Sequence, residues 1–278
     1  MKEQTIYEYK MKKLFSILFT LILMGFALKA QNIMYDHNPS AEKIVAKKVG
    51  SDTFHKDKIS NQTTVTDIDG NVYNTLTYGT QTWMVENLKT TKYNDGTAIP
   101  LVIDEESWAK RFTPAYCWFE NNEASYKNWY GALYNWYVVS TSKLCPEGWH
   151  VPTDSEWREL IIYLRIYNYD NSTTKNHMAK AMAATTGWQS SLNEGAVGNT
   201  DYPLKRNVSR FTATPGGSRY DGRFNGWSSY TNWWTATEYR ESQKQFVYFY
   251  QINYHDWAIY RHHIRTKSRG FSVRCVRD

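Results

Sequence analysis

The stretch at residues 144–160, LCPEGWHVPTDSEWREL, constrains the fold more than any other. A cysteine and a proline–glycine turn lead into an extended Trp149-His150-Val151. Pro152 then biases Val151 away from helical backbone. Thr153 stands at a helix N-cap position and Glu156 follows three residues later, which is a capping box. Asp154 and Glu156 place negative charge in the first turn, where the helix dipole favours it. Trp157, Leu160, Ile161 and Leu164 follow at i, i+3, i+4 and i+7 and form one apolar stripe. A helix with this start and this face has to dock on a core.

The 278 residues suit one large domain or two small ones. Aliphatic residues are sparse after position 60, whereas the chain has 12 Trp and 22 Tyr, so the core is expected to be built largely from rings. Such rings bury large areas but need a partner for one polar atom, which favours a loop-rich fold with many side-chain to backbone hydrogen bonds. The formal charge of +6 is mild and lies partly in the first residues; no lysine–arginine stripe accompanies it, so nucleic acid is not an expected partner.

Met11-Lys12-Lys13 precedes an apolar run at residues 14–28, and Ala30-Gln31 follows. This pattern predicts a secretory signal over residues 1–30, with Met11 as an alternative start because the charge sits directly after it. The run is about 15 residues, shorter than the roughly 18 needed to span a bilayer, so no transmembrane segment is expected in the mature chain. The chain is therefore expected to be exported to the periplasm, the cell surface or the medium. Residues 31–62 show no period and predict a flexible segment.

From residue 63 the pattern is that of a single domain. Strands are expected at 72–78, 81–88, 115–119, 230–238, 245–252, 258–264 and 271–276. Short helices are expected at 108–112 and 177–184, the latter ended by Gly187. Leu133, Trp136 and Tyr137 at helical spacing predict a further helix over 131–139, packed beside the Thr153 helix. Residues 121–128, 190–205, 215–217 and 221–226 are expected as loops. Few helices, several short antiparallel strands and long loops define an α+β domain over 63–278.

No nucleophile elbow, P-loop, dinucleotide fingerprint or histidine–cysteine metal spacing occurs, so no catalytic residues, metal ligands or cofactor are expected. Adjacent His262 and His263 would point to opposite faces of a strand. Asp67, Asp69 and Asn71 alternate as calcium ligands do, but a turn entering a strand explains them equally well. The segment most suggestive of ligand binding is 219–234, with candidate residues Arg219, Asp221, Arg223, Trp227, Tyr230, Asn232 and Trp234. Rings with arginine and amides suit sugar stacking or a protein interface. One of the adjacent Trp233 and Trp234 is expected to be buried, because neighbours in a strand face opposite ways. Cys117, Cys145 and Cys275 allow three pairings, and an oxidising compartment permits one disulfide.

The run CPEGWHVPTDSEW resembles the signature of the Fibrobacter succinogenes major paralogous domain family of secreted bacterial proteins. Residues 66–73 (TDIDGNVY), 81–88 (QTWMVENL), 130–136 (YGALYNW) and 270–276 (GFSVRCV) keep the family's order. The family is similar in pattern to the C-type-lectin-like fold of formylglycine-generating enzymes. That resemblance implies a bridge from the helix block to the last strand, Cys145–Cys275, with Cys117 free. It does not supply an activity. The enzymes it resembles use a close C-terminal cysteine pair with copper, and only Cys275 stands near the C-terminus here. The expected function is thus a secreted or cell-surface, non-catalytic binding module whose ligand is a protein partner or a glycan. A structural accessory subunit of a bacterial outer-membrane assembly, and an enzyme related to formylglycine-generating enzymes, are the alternatives.

Overall fold

The computed structural model describes residues 63–167, 178–241 and 243–278. The expected signal at 1–30, the flexible segment at 31–62 and His177 lie outside these residues. Along the described chain come β1 (Thr63–Thr66), β2 (Val72–Tyr78), β3 (Gln81–Met84), α1 (Glu105–Ala109), β4 (Tyr116–Cys117) and α2 (Glu123–Tyr130). Next are β5 (Leu133–Tyr134), α3 (Trp136–Val139), β6 (Trp149–His150), α4 (Asp154–Ile166) and α5 (Met178–Met182). The rest are β7 (Gly216–Tyr220), β8 (Arg223–Trp227), β9 (Tyr230–Glu241), β10 (Lys244–Asn253), β11 (Ile259–Ile264) and β12 (Val276–Arg277).

Two five-stranded sheets carry the domain, in the orders β1-β2-β3-β12-β6 and β11-β10-β9-β7-β8, and β4-β5 form a small third sheet. Strands dominate and helices are short, so the domain is β-rich. The first sheet joins the two ends of the domain: Val276 pairs with Trp83 on one side and His150 on the other. A disulfide joins Cys145 to Cys275 beside this junction, with Cα atoms 6.0 Å apart. Cys117 is free and buried.

α4 begins as the sequence requires. Thr153 Oγ1 accepts the Glu156 backbone N–H at 3.2 Å, and Glu156 Oε2 accepts the Thr153 N–H at 2.7 Å. The helix is also pinned by a contact the pattern does not announce. Arg261 on β11 donates to both carboxylate oxygens of Asp154, at 2.6 and 2.9 Å, and Tyr250 donates to the same carboxylate at 3.0 Å. Below the cap, Trp157 stacks on Tyr250 at 4.9 Å and meets Trp83 edge-on at 4.9 Å. Around Trp157 the core is built of rings, whereas in the core as a whole aliphatic, Ala, Met and Cys residues outnumber them.

Trp233 and Trp234 are both fully buried. Their side chains do face opposite ways, but β9 lies between two apolar clusters, one around Trp157 and Phe211 and one around Phe249 and Phe271. Alternation along a strand tells which residues share a face, not whether both faces are covered.

Three expectations are corrected. Residues 131–139 do not form one helix: Leu133-Tyr134 pairs with Tyr116-Cys117 as strand β5. Asn135 then caps the single turn α3 through the Val138 N–H at 3.3 Å. α3 docks on β9, where Trp136 Nε1 donates to Thr235 O at 3.0 Å, rather than beside α4. Most of residues 121–128, expected as loop, lies in α2 (Glu123–Tyr130), because Asn122 accepts the Ser125 N–H at 3.0 Å as an N-cap. Residues 215–217 and 221–226, also expected as loops, lie largely in the β7–β8 hairpin, whose strands run over 216–220 and 223–227.

Candidate functional site

α2 buries none of its residues. Tyr126 and Tyr130 lie with their rings 5.9 Å apart, and with the exposed Trp129 they line one cleft. The helix ends where Gly131 adopts φ +73°; a Cβ there would come within 2.7 Å of Leu88 O. Only glycine lets the chain turn so close to the 85–88 segment.

Between α2 and the turn that follows α5 lies a cleft of about 590 Å³. Residues 85–87 and Arg274 line it beside α2; residues 184–187 with Thr212, Thr214 and Pro215 close the far side, and Trp227 stands among the lining groups. Trp129 is 70% exposed and Trp227 48%. Tyr126 meets Trp227 edge-on at 6.3 Å, which ties the two aromatic walls together. The side chains of Ser125, Asn128, Thr185, Thr186 and Thr214 line the cleft with no hydrogen-bond partner among the described residues.

Asn87 holds this site together. Its Nδ2 donates to Tyr130 O at 2.9 Å and Ser272 Oγ at 3.3 Å. Its Oδ1 accepts from Trp233 Nε1 at 2.9 Å and Arg274 Nε at 3.0 Å. The amide therefore makes all four hydrogen bonds available to it. Arg274 also donates to the carbonyls of Phe211 and Thr212 and lies 4.1 Å over the Phe211 ring. Burial holds its pKa down to about 9.

Of the seven residues expected to face a ligand, three are interior and are withdrawn from that role. Arg219 is buried between Trp108 and Phe224, and its guanidinium donates to the carbonyls of Val102, Ile103, Asp104 and Gly222. Asn232 is buried and accepts from Gln251 Nε2 at 2.8 Å. Trp234 is buried with its Nε1 on Tyr134 O at 2.8 Å. Arginine and amide side chains serve here as glue for irregular backbone, a use that composition does not separate from ligand binding. Asp221 and Arg223 are exposed at the β7–β8 turn, and Arg223 pairs with Glu105 at 2.8 Å, away from the cleft lining. Tyr230 is half-buried and shares a hydrogen bond with Ser218. Trp227 alone of the seven reaches the cleft. Tyr126, Asn128, Trp129 and Tyr130 lie outside the 219–234 segment and line the cleft; the Asn122 cap three residues before Ser125 is the sequence signal that places them on a helix.

The alternating Asp67, Asp69 and Asn71 form a turn. Asp67 accepts the N–H groups of Asp69 and Asn71, the Asn71 amide and the Tyr73 hydroxyl, at 2.6–3.0 Å. Asp69 accepts from Thr91 and pairs with Lys92 at 3.1 Å. The thiol of Cys117 is pushed up to about 12 by burial. The half-buried His262 stacks on Phe249 while the exposed His263 meets Phe246 on the other face.

Among the described residues no helix is long and apolar enough to cross a membrane. No curated protein and no solved structure matches the chain. The Fibrobacter succinogenes major domain matches over residues 76–277, which takes in the cleft, the disulfide and the junction of β3 with β12, and the chain belongs to that family.

Proposed function

We propose that this chain is an exported, non-catalytic binding module on a C-type-lectin-like domain, and that it holds a glycan in the cleft beside α2. One observation carries the reading. Trp129 and Trp227 keep large exposed ring surface at a cleft whose other lining is mostly hydroxyl, amide and tyrosine. Isolated exposed rings are ordinary, but two tryptophans at one concavity form a patch that water does not favour. Stacked rings with hydroxyl and amide partners match the two faces of a sugar. The module reading has further support in the cysteines. Cys145 and Cys275 are joined and Cys117 is buried with a raised pKa, which leaves no thiolate poised for oxidase chemistry. Export rests on the charged and apolar residues 11–30.

Glycan-array binding by the tagged chain tests the reading. Trp129→Ala and Trp227→Ala should each weaken binding about tenfold or more, with unchanged thermal stability. A protein partner is the second reading, favoured by the exposed Leu101, Ile103 and Phe112 around α1. A pull-down from the cell envelope that survives both tryptophan substitutions but fails with Ile103→Asp or Phe112→Asp would favour it.

A further inference from the structure

Resting on that reading, we infer that the cleft selects uncharged ligands, so that its glycan is a neutral oligosaccharide and not a uronic acid or an amino sugar. Among the described residues only two charged side chains line the cleft, Glu86 and Arg274. They have opposite signs, and both are already engaged with the protein. Glu86 accepts the Asn74 side-chain amide through Oε1 at 2.7 Å and the Asn74 backbone N–H through Oε2 at 2.8 Å. Arg274 is 1% exposed; its three donor nitrogens each have a protein acceptor and one guanidinium face is covered by Phe211. Burial lowers the Arg274 pKa and the charge of Glu86 opposes that shift, so the two charges act on each other across the floor.

A charged ligand entering this cleft loses its hydration and meets two fixed charges that cancel. Desolvation of an ion is offset only when a partner of opposite sign is within reach. A neutral polyol has no such penalty. It needs rings to stack on, and donors and acceptors for its hydroxyls. Trp129 and Trp227 supply the first, and the unpartnered Asn128, Thr185, Thr186 and Thr214 supply the second. Hydroxyls and an amide each donate or accept according to need. This lining recognises hydroxyl groups without selecting a charge.

Calorimetric titration of the full chain tests this with four probes: neutral gluco- and manno-oligosaccharides, oligogalacturonate and chitosan oligomers. The neutral probes should bind at least about tenfold tighter than either charged probe. Their affinity should change little between low and high salt, since no ion pair forms. Glu86→Gln should shift the balance by leaving Arg274 uncompensated. Oligogalacturonate should then gain affinity relative to the neutral probes, and a thermal melt establishes that this variant folds. Tighter binding of oligogalacturonate or chitosan oligomers by the unsubstituted chain would overturn the inference and leave the glycan reading standing. Binding of no probe by folded protein would overturn both.

Discussion

Asn87 Oδ1 accepts the Nε–H of Arg274 at 3.0 Å, and the two residues stand 187 positions apart in the chain. This contact joins the segment after β3 to the segment before β12, directly beneath the cleft. A fully buried guanidinium with no carboxylate in hydrogen-bond contact among the described residues depends on neutral acceptors for its stability. Asn87→Ala would remove one of those acceptors and also orphan Trp233 Nε1 and Tyr130 O. The expected loss is on the order of 3 kcal/mol, read by urea denaturation. Asn87→Asp separates charge from geometry. It would give Arg274 an ion pair but withdraw both amide donors, so it should be destabilised less than the alanine variant. A loss below about 1 kcal/mol for Asn87→Ala would show that the network is loose.

The disulfide gives a second prediction. Closing a loop of 130 residues constrains the unfolded chain by about 4–5 kcal/mol in the chain-entropy model. Cys145→Ser and Cys275→Ser should therefore destabilise similarly, and the double variant should be little worse than either. Thiol titration should find no reactive group in native protein and one, Cys117, after denaturation. Three thiols in exported protein, or a peptide map joining Cys117 to either partner, would contradict the pairing.

A third prediction concerns pH. His150 lies between Glu156, 2.8 Å from Nε2, and Asp278, 2.5 Å from Nδ1. Glu156 is the larger cause that lifts its pKa to about 9; burial opposes and Asp278 adds. The folded value lies above the unfolded one, near 6.5. The stabilisation is thus complete below about pH 6.5 and is lost as pH rises through 9. Burial alone would raise the Glu156 pKa, but hydrogen bonds from His150 and Thr153 outweigh it and the net shift is downward. Its stabilisation is present above the unfolded carboxylate value and is lost as pH falls through the folded one. The stability gap between the unsubstituted chain and His150→Gln should therefore peak in weak acid and shrink on both sides. Because the imidazole is 36% exposed, solvent screening keeps the gap modest. A gap that grows from pH 7 to pH 10 would refute the assignment.

What the sequence discloses depends on how local the determinant is. The cap and stripe of α4 lie within a dozen residues, and they predict the helix correctly. The strands 230–238 and 245–252 carry their own alternation and are found nearly in place. Leu133 and Tyr134 carry helical spacing, yet their conformation is decided by Tyr116, Cys117 and Phe271, which pair with them from elsewhere in the chain. Arg219 and Trp227 look alike as candidates in a sequence; only the fold shows that Arg219 binds carbonyls near Val102 while Trp227 meets the cleft. Among the described residues the cleft draws on six separated segments, and no window of sequence contains more than one wall.

The last prediction separates the cap of α4 from its core face. Thr153 satisfies one free amide at the helix start, and the Glu156 carboxylate returns the contact. Thr153→Ala should cost roughly 1 kcal/mol, because water replaces the lost acceptor at a half-exposed end. Asp154 would still hold the helix start to Arg261 and Tyr250, so the helix should remain docked. Trp157 differs in kind. It is fully buried and touches Trp83, Phe211, Trp233 and Tyr250. Trp157→Ala would open a cavity that rigid neighbouring rings cannot fill, at about 3–5 kcal/mol. Trp157→Phe should recover part of that loss, since the Trp157 Nε1 has no hydrogen-bond partner to forfeit. Denaturant unfolding of the three variants checks the order. Equal losses for Thr153→Ala and Trp157→Ala would mean that α4 does not pack through this face.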